Sequence, residues 1–409
     1  MKHRRAIVSI AAACLVLLLL SGWALLQWRY PYGRSHCCIK SMFLALELYA
    51  QEHGGRFPVG QSSPEASLSL LYSEGLLDAD ILRGKTVREQ LVRETFADGS
   101  LLGPETCGWQ YVEGLSQADD TRIAILWSKG ELGHYGEHFL HPAREVLLLG
   151  GGTKWITRPQ WASFQLEQEQ LLKSRKSVAT NEVSSREDRV AAGKTSGKRT
   201  MAPLSATRSA RTQEPASPHV LPGVKFHRQE RPLSCEPAAL KMALDAQGAH
   251  VAEAEIIFRM PFDKTKRTDS VWGDPDKGFV GNIDGEMLVD GYGVHSAPLA
   301  ETASNWRKAE AIEGGSSAEL AGHLLAGRPV IVWGFSGKSG SSIWQTPDGK
   351  TVHAVNGEHT RVVCGFRGSP SDPDGFFLMD PNCGLVYWPR RLFLSNWGAL
   401  NRSGVAIYR

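Results

Sequence analysis

A polar stretch from Arg158 to His219 divides this chain into two regions that carry most of its apolar sequence. It begins with a helix-like piece rich in Gln, Glu, Leu and Lys (residues 161–173). It then becomes a run of Ser, Thr, Ala, Lys, Arg and Pro with almost no aromatic residues. Such a run cannot bury enough apolar surface to offset the entropy lost on ordering. We therefore predict a flexible basic linker over 158–219, between folded regions at 34–157 and 220–409.

The overall composition is that of a globular protein with two or three domains. The chain has 409 residues, of which 42% are hydrophobic and 22% charged. Its net charge of +3 is too small to indicate nucleic-acid binding, and no alternation of aromatic and basic residues suggests it. No nucleic-acid partner is expected.

The N-terminus combines a basic flank with a long uncharged segment. Residues 1–5 include Lys2, Arg4 and Arg5, and residues 6–26 carry no charge over 21 positions. A helix of that length spans roughly 30 Å, the thickness of a bilayer core. We predict a cytoplasmic flank at 1–5 and a single transmembrane helix over 6–27 in the inner membrane, with the rest of the chain periplasmic or extracellular. A cleaved signal peptide is the alternative, because Gly22-Trp-Ala24 has small-x-small spacing.

Residues 34–157 are predicted to form a small α+β domain. A helix pattern runs from Cys38 to His53 and stops at Gly54-Gly55, strand-like runs follow, and Gly150-Gly151-Gly152 suggests a tight hairpin turn. The arrangement loosely resembles pseudopilin-like proteins after their membrane helix. The glycine–phenylalanine processing site of those proteins is absent, so a periplasmic recognition or spacer domain, a stalk with a cell-envelope partner, is expected rather than a filament subunit.

The C-terminal region contains a cysteine at the start of an amphipathic helix. Cys235 follows Ser234, a suitable N-cap, and the helix carries Leu240 and Leu244 on one face before Gly248 stops it. A thiol on the first turn lies at the positive end of the helix dipole, which favours the thiolate. The alternative is that Cys235 is a small buried residue at an ordinary helix start.

Three further residues are candidates for thiol chemistry. His359 opens a β-branched run typical of a buried strand, and a second apolar run after a turn ends at Asp380. Antiparallel pairing would bring these two side chains to the same end of a sheet, with the imidazole between Asp380 and Cys235. Gln229, six residues before the cysteine, could donate to an oxyanion. The other histidines of this region are weaker candidates: His227, His250, His295 and His353.

An ordered set of motifs makes residues 220–409 resemble the cysteine peptidase family thirty-nine. These enzymes are papain-like and are best known as leader-cutting domains of bacteriocin exporters, and the likeness is strongest to the stand-alone relatives. The resemblance rests on Gln229, Leu233-Ser-Cys235-Glu-Pro-Ala-Ala-Leu240, Met260-Pro-Phe-Asp263, Trp272-Gly-Asp-Pro275, Phe279-Val-Gly281, Gly291-Tyr-Gly-Val294, Gly327-Arg-Pro-Val-Ile-Val-Trp333, His359-Thr360 and Asp380-Pro381.

This resemblance implies a papain-like α+β fold with a central helix packed on an antiparallel sheet. It implies Cys235 as nucleophile, His359 as base, Asp380 as the residue that orients the imidazole, and Gln229 as oxyanion donor. The substrate would be a peptide or protein, and no cofactor or metal is implied. Nothing in the chain matches the phosphate-binding loop of the exporters, so leader cleavage during export is not carried over.

The remaining cysteines leave their pairing open. Outside the apolar segment and the Cys235 motif the chain has five, enough for at most two disulfides. Cys364 and Cys383 lie on or beside the two predicted strands, where they could pair in an oxidising compartment or remain bystanders.

The sequence therefore predicts a membrane-anchored, extracytoplasmic cysteine peptidase with a Cys-His-Asp triad. The alternative is a catalytically idle papain-like domain that binds peptides on a pilin-like stalk.

Overall fold

The computed structural model describes residues 20–34, 38–138, 141–190, 218–338 and 340–409. The described part of the first helix, α1, spans residues 20–29. The cytoplasmic flank 1–5, residues 6–19 of the predicted transmembrane helix and residues 191–217 of the predicted linker lie outside the described residues. Within the described ranges, no helix combines the length and hydrophobicity needed to cross a membrane.

The N-terminal half consists of four short helices followed by a four-stranded antiparallel sheet. The helices are α2 (Ile39–Glu52), α3 (Pro64–Ser73), α4 (Ala79–Leu82) and α5 (Glu89–Ala97). The strands are β1 (Trp109–Tyr111), β2 (Ala124–Ser128), β3 (Ala143–Leu148) and β4 (Thr153–Thr157), in the order β1-β2-β3-β4. The predicted helix after Cys38 is confirmed, as is the glycine hairpin, where Gly151 has a φ of 84° between β3 and β4. The likeness to pseudopilins stays a prediction.

The predicted linker begins as an ordered helix, α6 (Arg158–Val190). Phe164 is buried against the N-terminal sheet, Trp161 meets the ring of Trp127, and the Gln168 side chain accepts a hydrogen bond from the Ala124 amide at 2.7 Å. The expectation of a flexible segment from residue 158 onward was therefore wrong for its first part. The apolar residues of the helix-like piece are sparse, but Trp161, Phe164, Leu171 and Leu172 pack on the N-terminal half.

The C-terminal half carries a seven-stranded antiparallel sheet. Its strands are β5 (His219–Val220), β8 (Ala309–Ile312), β9 (Val330–Phe335), β12 (Glu358–Ser369), β13 (Asp372–Asp380), β14 (Gly384–Pro389) and β15 (Gly404–Ile407). They are arranged in the order β14-β13-β12-β9-β15-β8, with β5 also paired to β12. Short pairs form from β6 (Phe262–Asp263) with β7 (Phe279–Val280), and from β10 (Ser341–Gln345) with β11 (Thr351–Val355). The helices are α7 (Cys235–Ala246), α8 (Glu253–Arg259), α9 (Ser296–Ala303), α10 (Ser317–Leu325) and α11 (Arg390–Gly398).

Both faces of this sheet are covered. On one face, Ile331, Trp333 and Val362 pack with the buried residues of α7, which confirms the predicted helix-on-sheet arrangement. On the other face, Val332 and Val363 belong to a second cluster that is continuous with the core of the N-terminal half. Successive residues of a strand point to opposite faces, so strands buried on both sides appear in the sequence as continuous apolar runs.

The two halves therefore share one hydrophobic core. Trp388 of β14 donates from its indole nitrogen to the hydroxyl of Ser41 in α2 at 2.9 Å, and both groups are buried. The Arg391 guanidinium forms ion pairs with Glu52 and Glu74. The expectation of a separate spacer domain at 34–157 was wrong on this point, because its α2 side packs directly on the C-terminal sheet.

Candidate active site

Cys235 opens α7 as predicted. Ser234 occupies the N-cap position, Leu240 and Leu244 are fully buried, and Gly248 follows the helix with a φ of 76°. The Ser234 hydroxyl, however, makes no capping bond to the helix. It faces the loop before the helix instead, so the first turn keeps backbone N–H groups without intrahelical partners.

The loop before Cys235 is held by a carboxylate that the sequence did not single out. Glu253, the first residue of α8, is fully buried. It accepts hydrogen bonds from the Ser234 hydroxyl at 2.5 Å, from the Glu230 amide at 3.1 Å and from Nε2 of His227 at 2.7 Å. Because these partners all precede Cys235 in the chain, Glu253 fixes the position of the loop that leads into Cys235.

Two carboxyl groups lie beside the thiol. The Sγ atom of Cys235 is 3.3 Å from Oε2 of Glu236 and 4.0 Å from Oε2 of Glu358. The other oxygen of Glu236 accepts a hydrogen bond from the Val294 amide at 2.7 Å. All three side chains are buried. The immediate surroundings of the candidate nucleophile are therefore acidic.

This environment disfavours the thiolate. Burial raises the pKa of Cys235 well above its ordinary value, and the neighbouring Glu236 and Glu358 raise it further. Burial also raises the pKa of Glu236 to about 7 and that of Glu358 well above its ordinary range, the latter with a contribution from Glu236. The resting site thus holds a protonated thiol, in contrast to the thiolate that the helix dipole alone would favour.

The structure does not bring His359 to Cys235. On β12, Thr360 pairs with Trp333 on the α7 face, and Glu358, two residues before Thr360, lies on that same face. His359 pairs with Gly334 on the opposite face. Directly paired residues of an antiparallel sheet share a face, and neighbours along a strand alternate. The residue of β12 that faces the thiol is therefore Glu358, and the expected contact between the imidazole and Cys235 is absent from this arrangement.

His359 and Asp380 do meet, as the antiparallel pairing predicts. Nε2 of His359 lies 3.0 Å from Oδ1 of Asp380, and the Arg361 guanidinium donates to Oδ2 at 2.7 Å. Arg361 also lies over the ring of Trp388, 4.5 Å from its centre. The cluster is buried between the sheet and the N-terminal half.

Charge within this cluster is balanced. Burial lowers the pKa of His359, which favours the neutral imidazole. For Asp380, burial acts to raise the pKa, but the interactions of the carboxylate with His359 and Arg361 outweigh it and hold the pKa below its usual range. An ionised carboxylate paired with the guanidinium is the state that these directions favour.

Gln229 is turned toward its own loop. Its side-chain nitrogen donates to the carbonyls of Arg231 and Pro232, both at 2.9 Å, so both of its N–H groups are used. Its backbone amide donates to the carbonyl of Pro381 at 3.1 Å, which ties this loop to the residue after Asp380. The side-chain amide is not presented to the thiol as an oxyanion donor.

None of the five cysteines in the described ranges forms a disulfide. Cys364 contacts the carbonyl of Phe377, and Cys383 lies against Cys38 of the N-terminal half rather than against Cys364. The pairing of Cys364 with Cys383, one of the alternatives left open by the sequence, is therefore not the arrangement found.

The two carboxyls beside the thiol were missed in the sequence although each adjoins a residue that was identified. Glu236 follows Cys235, and Glu358 precedes His359. Alternate residues of β12 face opposite sides of the sheet. Whether the odd- or the even-numbered residues face the thiol can be decided only once the side covered by α7 is known.

Comparison with known proteins shows what the C-terminal region is similar to. Residues 222–405 match the model of the Peptidase_C39 like family. The uncharacterized protein YvpB of Bacillus subtilis (strain 168) is 27% identical over 152 residues, 36% of this chain and 57% of that protein. The chain thus spans less than two thirds of the length of this curated relative.

Three solved structures show similarity over slightly less than half of the chain. A putative C39-like peptidase from Bacillus anthracis is 26% identical, covering 47% of this chain and 98% of that one with a TM-score of 0.41. The peptidase domain of Streptococcus ComA, a bifunctional ABC transporter involved in quorum sensing, is 17% identical over 45% and 96% of the two chains, with a TM-score of 0.28. A double glycine motif protease from an AMS/PCAT transporter, solved with its leader peptide, is 16% identical over 48% and 100%, with a TM-score of 0.27.

Proposed function

Because residues 222–405 match the model of the Peptidase_C39 like family, we propose that the protein is a cysteine-type peptidase with Cys235 as its nucleophile. The observation that carries the proposal is the placement of the thiol on the first turn of α7, 3.3 Å from a carboxyl oxygen that can accept its proton. The substrate is a peptide or protein, in keeping with the family.

The reaction follows from the contacts of the thiol. Its proton passes to Oε2 of Glu236, and the resulting thiolate attacks a peptide carbonyl carbon. Free backbone N–H groups of the first turn of α7 stabilise the oxyanion that forms. Collapse expels the amine, which takes the proton from Glu236, and water then hydrolyses the thioester to release the acid and restore the thiol.

In this proposal, the carboxyl pair of Glu236 and Glu358 replaces the imidazole as the proton acceptor. His359 and Asp380 are assigned a positioning role, since they are tied to Arg361 on the other face of the same sheet. The sequence-based triad assigns the base to His359 instead. The two assignments differ in which single substitution stops catalysis, so kinetics can separate them.

A second candidate function is a peptide-binding module without turnover. The burial of Cys235, which is only 4% exposed, and its raised pKa favour this alternative, because a buried protonated thiol is a poor nucleophile. Its ligand would be of the same class, a peptide, but the ligand would be released intact.

The test is cleavage of a mixed peptide library by the full chain, followed by mass spectrometry. We expect cleavage to fall by at least about 10³-fold in Cys235→Ala, as loss of a nucleophile does elsewhere. Cys364→Ala is the matched control, since Cys364 is a buried cysteine of the same domain and contacts no carboxyl of the site. Peptides that bind the unsubstituted chain and are recovered uncut would favour the binding module.

We further propose that the N-terminal segment anchors the protein in the inner membrane, with the rest of the chain outside the cytoplasm. The uncharged run of 6–26 supports this, and so does α1, whose Trp23, Leu25 and Trp28 are each more than 60% exposed. Membrane fractionation of cells that express the full chain, combined with external protease treatment of spheroplasts, tests it. Recovery of the intact chain in the cytosolic fraction would contradict the proposal.

A further inference from the structure

We propose that Cys235, Glu236 and Glu358 form a binding site for one thiophilic divalent cation of the zinc and cadmium type. Each residue offers one ligand atom, and the three atoms lie within 4.8 Å of one another. All three side chains are buried, with exposures of 4%, 0% and 3%. This site goes beyond the peptidase function and does not depend on it.

The first support is electrostatic. Neither Glu236 nor Glu358 forms an ion pair with any lysine, arginine or histidine of the described ranges. The Glu236 carboxyl accepts from the Val294 amide, from its own amide and from the thiol. Burying a carboxylate without a compensating cation is costly, and burying two side by side is more so. A bound cation supplies the missing positive charge.

The second support is an oxygen without a partner. Oε1 of Glu358 is buried and accepts no hydrogen bond from any described residue, although its other oxygen faces the thiol. Buried polar atoms are almost always paired in folded proteins, so an orphaned carboxylate oxygen inside a ligand cluster points to an occupant.

The third support is the space around the two carboxyls. A Cβ atom added to Gly293 would lie 2.6 Å from Oε1 of Glu236 and 2.9 Å from Oε2 of Glu358. A side chain at position 293 would therefore require the carboxyl groups to shift from their present positions, and glycine leaves them this space.

The ligand set selects the class of cation. One sulfur and two carboxylate oxygens suit zinc, which takes three protein ligands and leaves a fourth position open, with Zn–S near 2.3 Å and Zn–O near 2.0–2.2 Å. Magnesium and calcium prefer sites made only of oxygen. Binding requires small side-chain rotations that shorten the present separations, and it releases the thiol proton as the bond from Sγ to the metal forms. No electron is transferred.

The consequence for the site is competition. A cation bound to Sγ occupies the nucleophile and the proton acceptor together, so the loaded protein neither alkylates at Cys235 nor cleaves peptide. Release of the cation restores both. The same three residues would thus hold either a proton or a metal.

The experiment is a titration of the chelator-treated full chain with Cd²⁺ and Zn²⁺, followed by ultraviolet absorption of the cadmium–thiolate bond and by calorimetry. We expect one equivalent to bind, with at least about 10-fold weaker affinity in Glu358→Gln and no cadmium–thiolate band in Cys235→Ala. Mg²⁺ should produce no signal. The controls are Glu301→Gln, an exposed carboxylate on α9, and Cys364→Ala; both should bind like the unsubstituted chain.

Unchanged affinity in Glu358→Gln, or a band that persists in Cys235→Ala, would overturn the site. A thermal-unfolding scan of each variant identifies those that fail to fold. For any such variant, the deciding measurement is protection of Cys235 from iodoacetamide by Cd²⁺ in the unsubstituted chain, located by peptide mapping. Protection supports the site, and its absence overturns the proposal. A chain that binds the metal but cleaves no peptide in its metal-free form would contradict the peptidase proposal alone.

Discussion

The two faces of β12 carry polar clusters of opposite character. On the face under α7, Glu358 joins Glu236 and Cys235 in an acidic group that contains no basic side chain from the described ranges. On the face under the N-terminal half, His359 and Arg361 surround Asp380 with matched charge. Adjacent residues of a single strand thus belong to two sites with different electrostatics.

This contrast separates the part of the strand that stabilises the fold from the part suited to chemistry. A charge-balanced, hydrogen-bonded cluster can be buried without a large residual cost, whereas burying an acidic group without a counter-charge is costly. The unbalanced cluster is the one that holds the cysteine. The balanced one lies where the two halves of the chain share a core, and we propose that it helps to hold them together.

The largest effect on stability is expected from removing a charge from the balanced cluster of His359, Arg361 and Asp380, on the face under the N-terminal half. Replacing Arg361 with methionine removes the guanidinium that donates to Asp380 at 2.7 Å and leaves a buried carboxylate without its strongest partner. We expect the free energy of unfolding of the full chain to fall by about 3–5 kcal/mol, measured by chemical denaturation. Arg228→Met, at an exposed position, is the control and should change it by less than about 0.5 kcal/mol. Equal losses in both variants would mean that the cluster adds no stability.

Removing an acidic group from the face under α7 should raise the free energy of unfolding rather than lower it. Glu358→Gln keeps the size of the side chain but removes one of two adjacent buried acids, so we expect the free energy of unfolding to rise by about 1 kcal/mol in chelator-containing buffer. Turnover should nevertheless fall by about 10²-fold or more, since a group of the proton-accepting pair is lost. Both kcat and the denaturation midpoint are measured on the same preparation.

His359→Gln is the matched variant for this prediction. The residue lies one position further along the strand but on the balanced face, so its replacement should lower stability and leave the rate per folded molecule within about 3-fold. The reverse pattern, with catalysis lost in His359→Gln and kept in Glu358→Gln, would restore the sequence-based assignment of the base.

Much of the fold could be predicted because local rules act within single elements. The start of α7 at Cys235, its end before Gly248 and the antiparallel pairing that joins His359 to Asp380 follow from helix capping signals, hydrophobic periodicity and turn composition. Each of these depends on residues close together in the sequence.

The composition of the site could not be predicted, because it depends on strand parity. Moving by one residue along β12 exchanges Glu358 for His359 on the face under α7, and sequence alone does not determine which face that helix covers. The shared core was missed for a related reason. The N-terminal half appears self-contained until Ser41 and the neighbouring apolar residues of α2 are seen to pack on the far side of the C-terminal sheet.

The smallest effect is expected from a carboxyl where the N-terminal half meets β12. Asp78 lies 3.7 Å from the Arg367 guanidinium, yet burial raises its pKa from 3.8 to about 7, with the nearby Asp80 adding to the shift. A pKa raised on folding means that the folded state holds the proton more tightly than the unfolded chain does. The stability from this group is therefore fully present below about pH 4 and is lost as the pH rises to about 7.

Asp78→Asn removes this dependence while keeping a residue that caps α4 well. We expect the variant to match the unsubstituted chain near pH 4 and to be more stable by about 1 kcal/mol at pH 8, as measured by denaturation across that range. Asp98→Asn, exposed at the end of α5, should leave the profile unchanged. A difference of the same size at both pH values would show that Asp78 acts through its hydrogen bond to Ile81 rather than through its charge. In that case, Asp78 would add no unbalanced charge to the region where the two halves meet. The contrast between that region and the acidic face under α7 would then hold for this carboxyl as well.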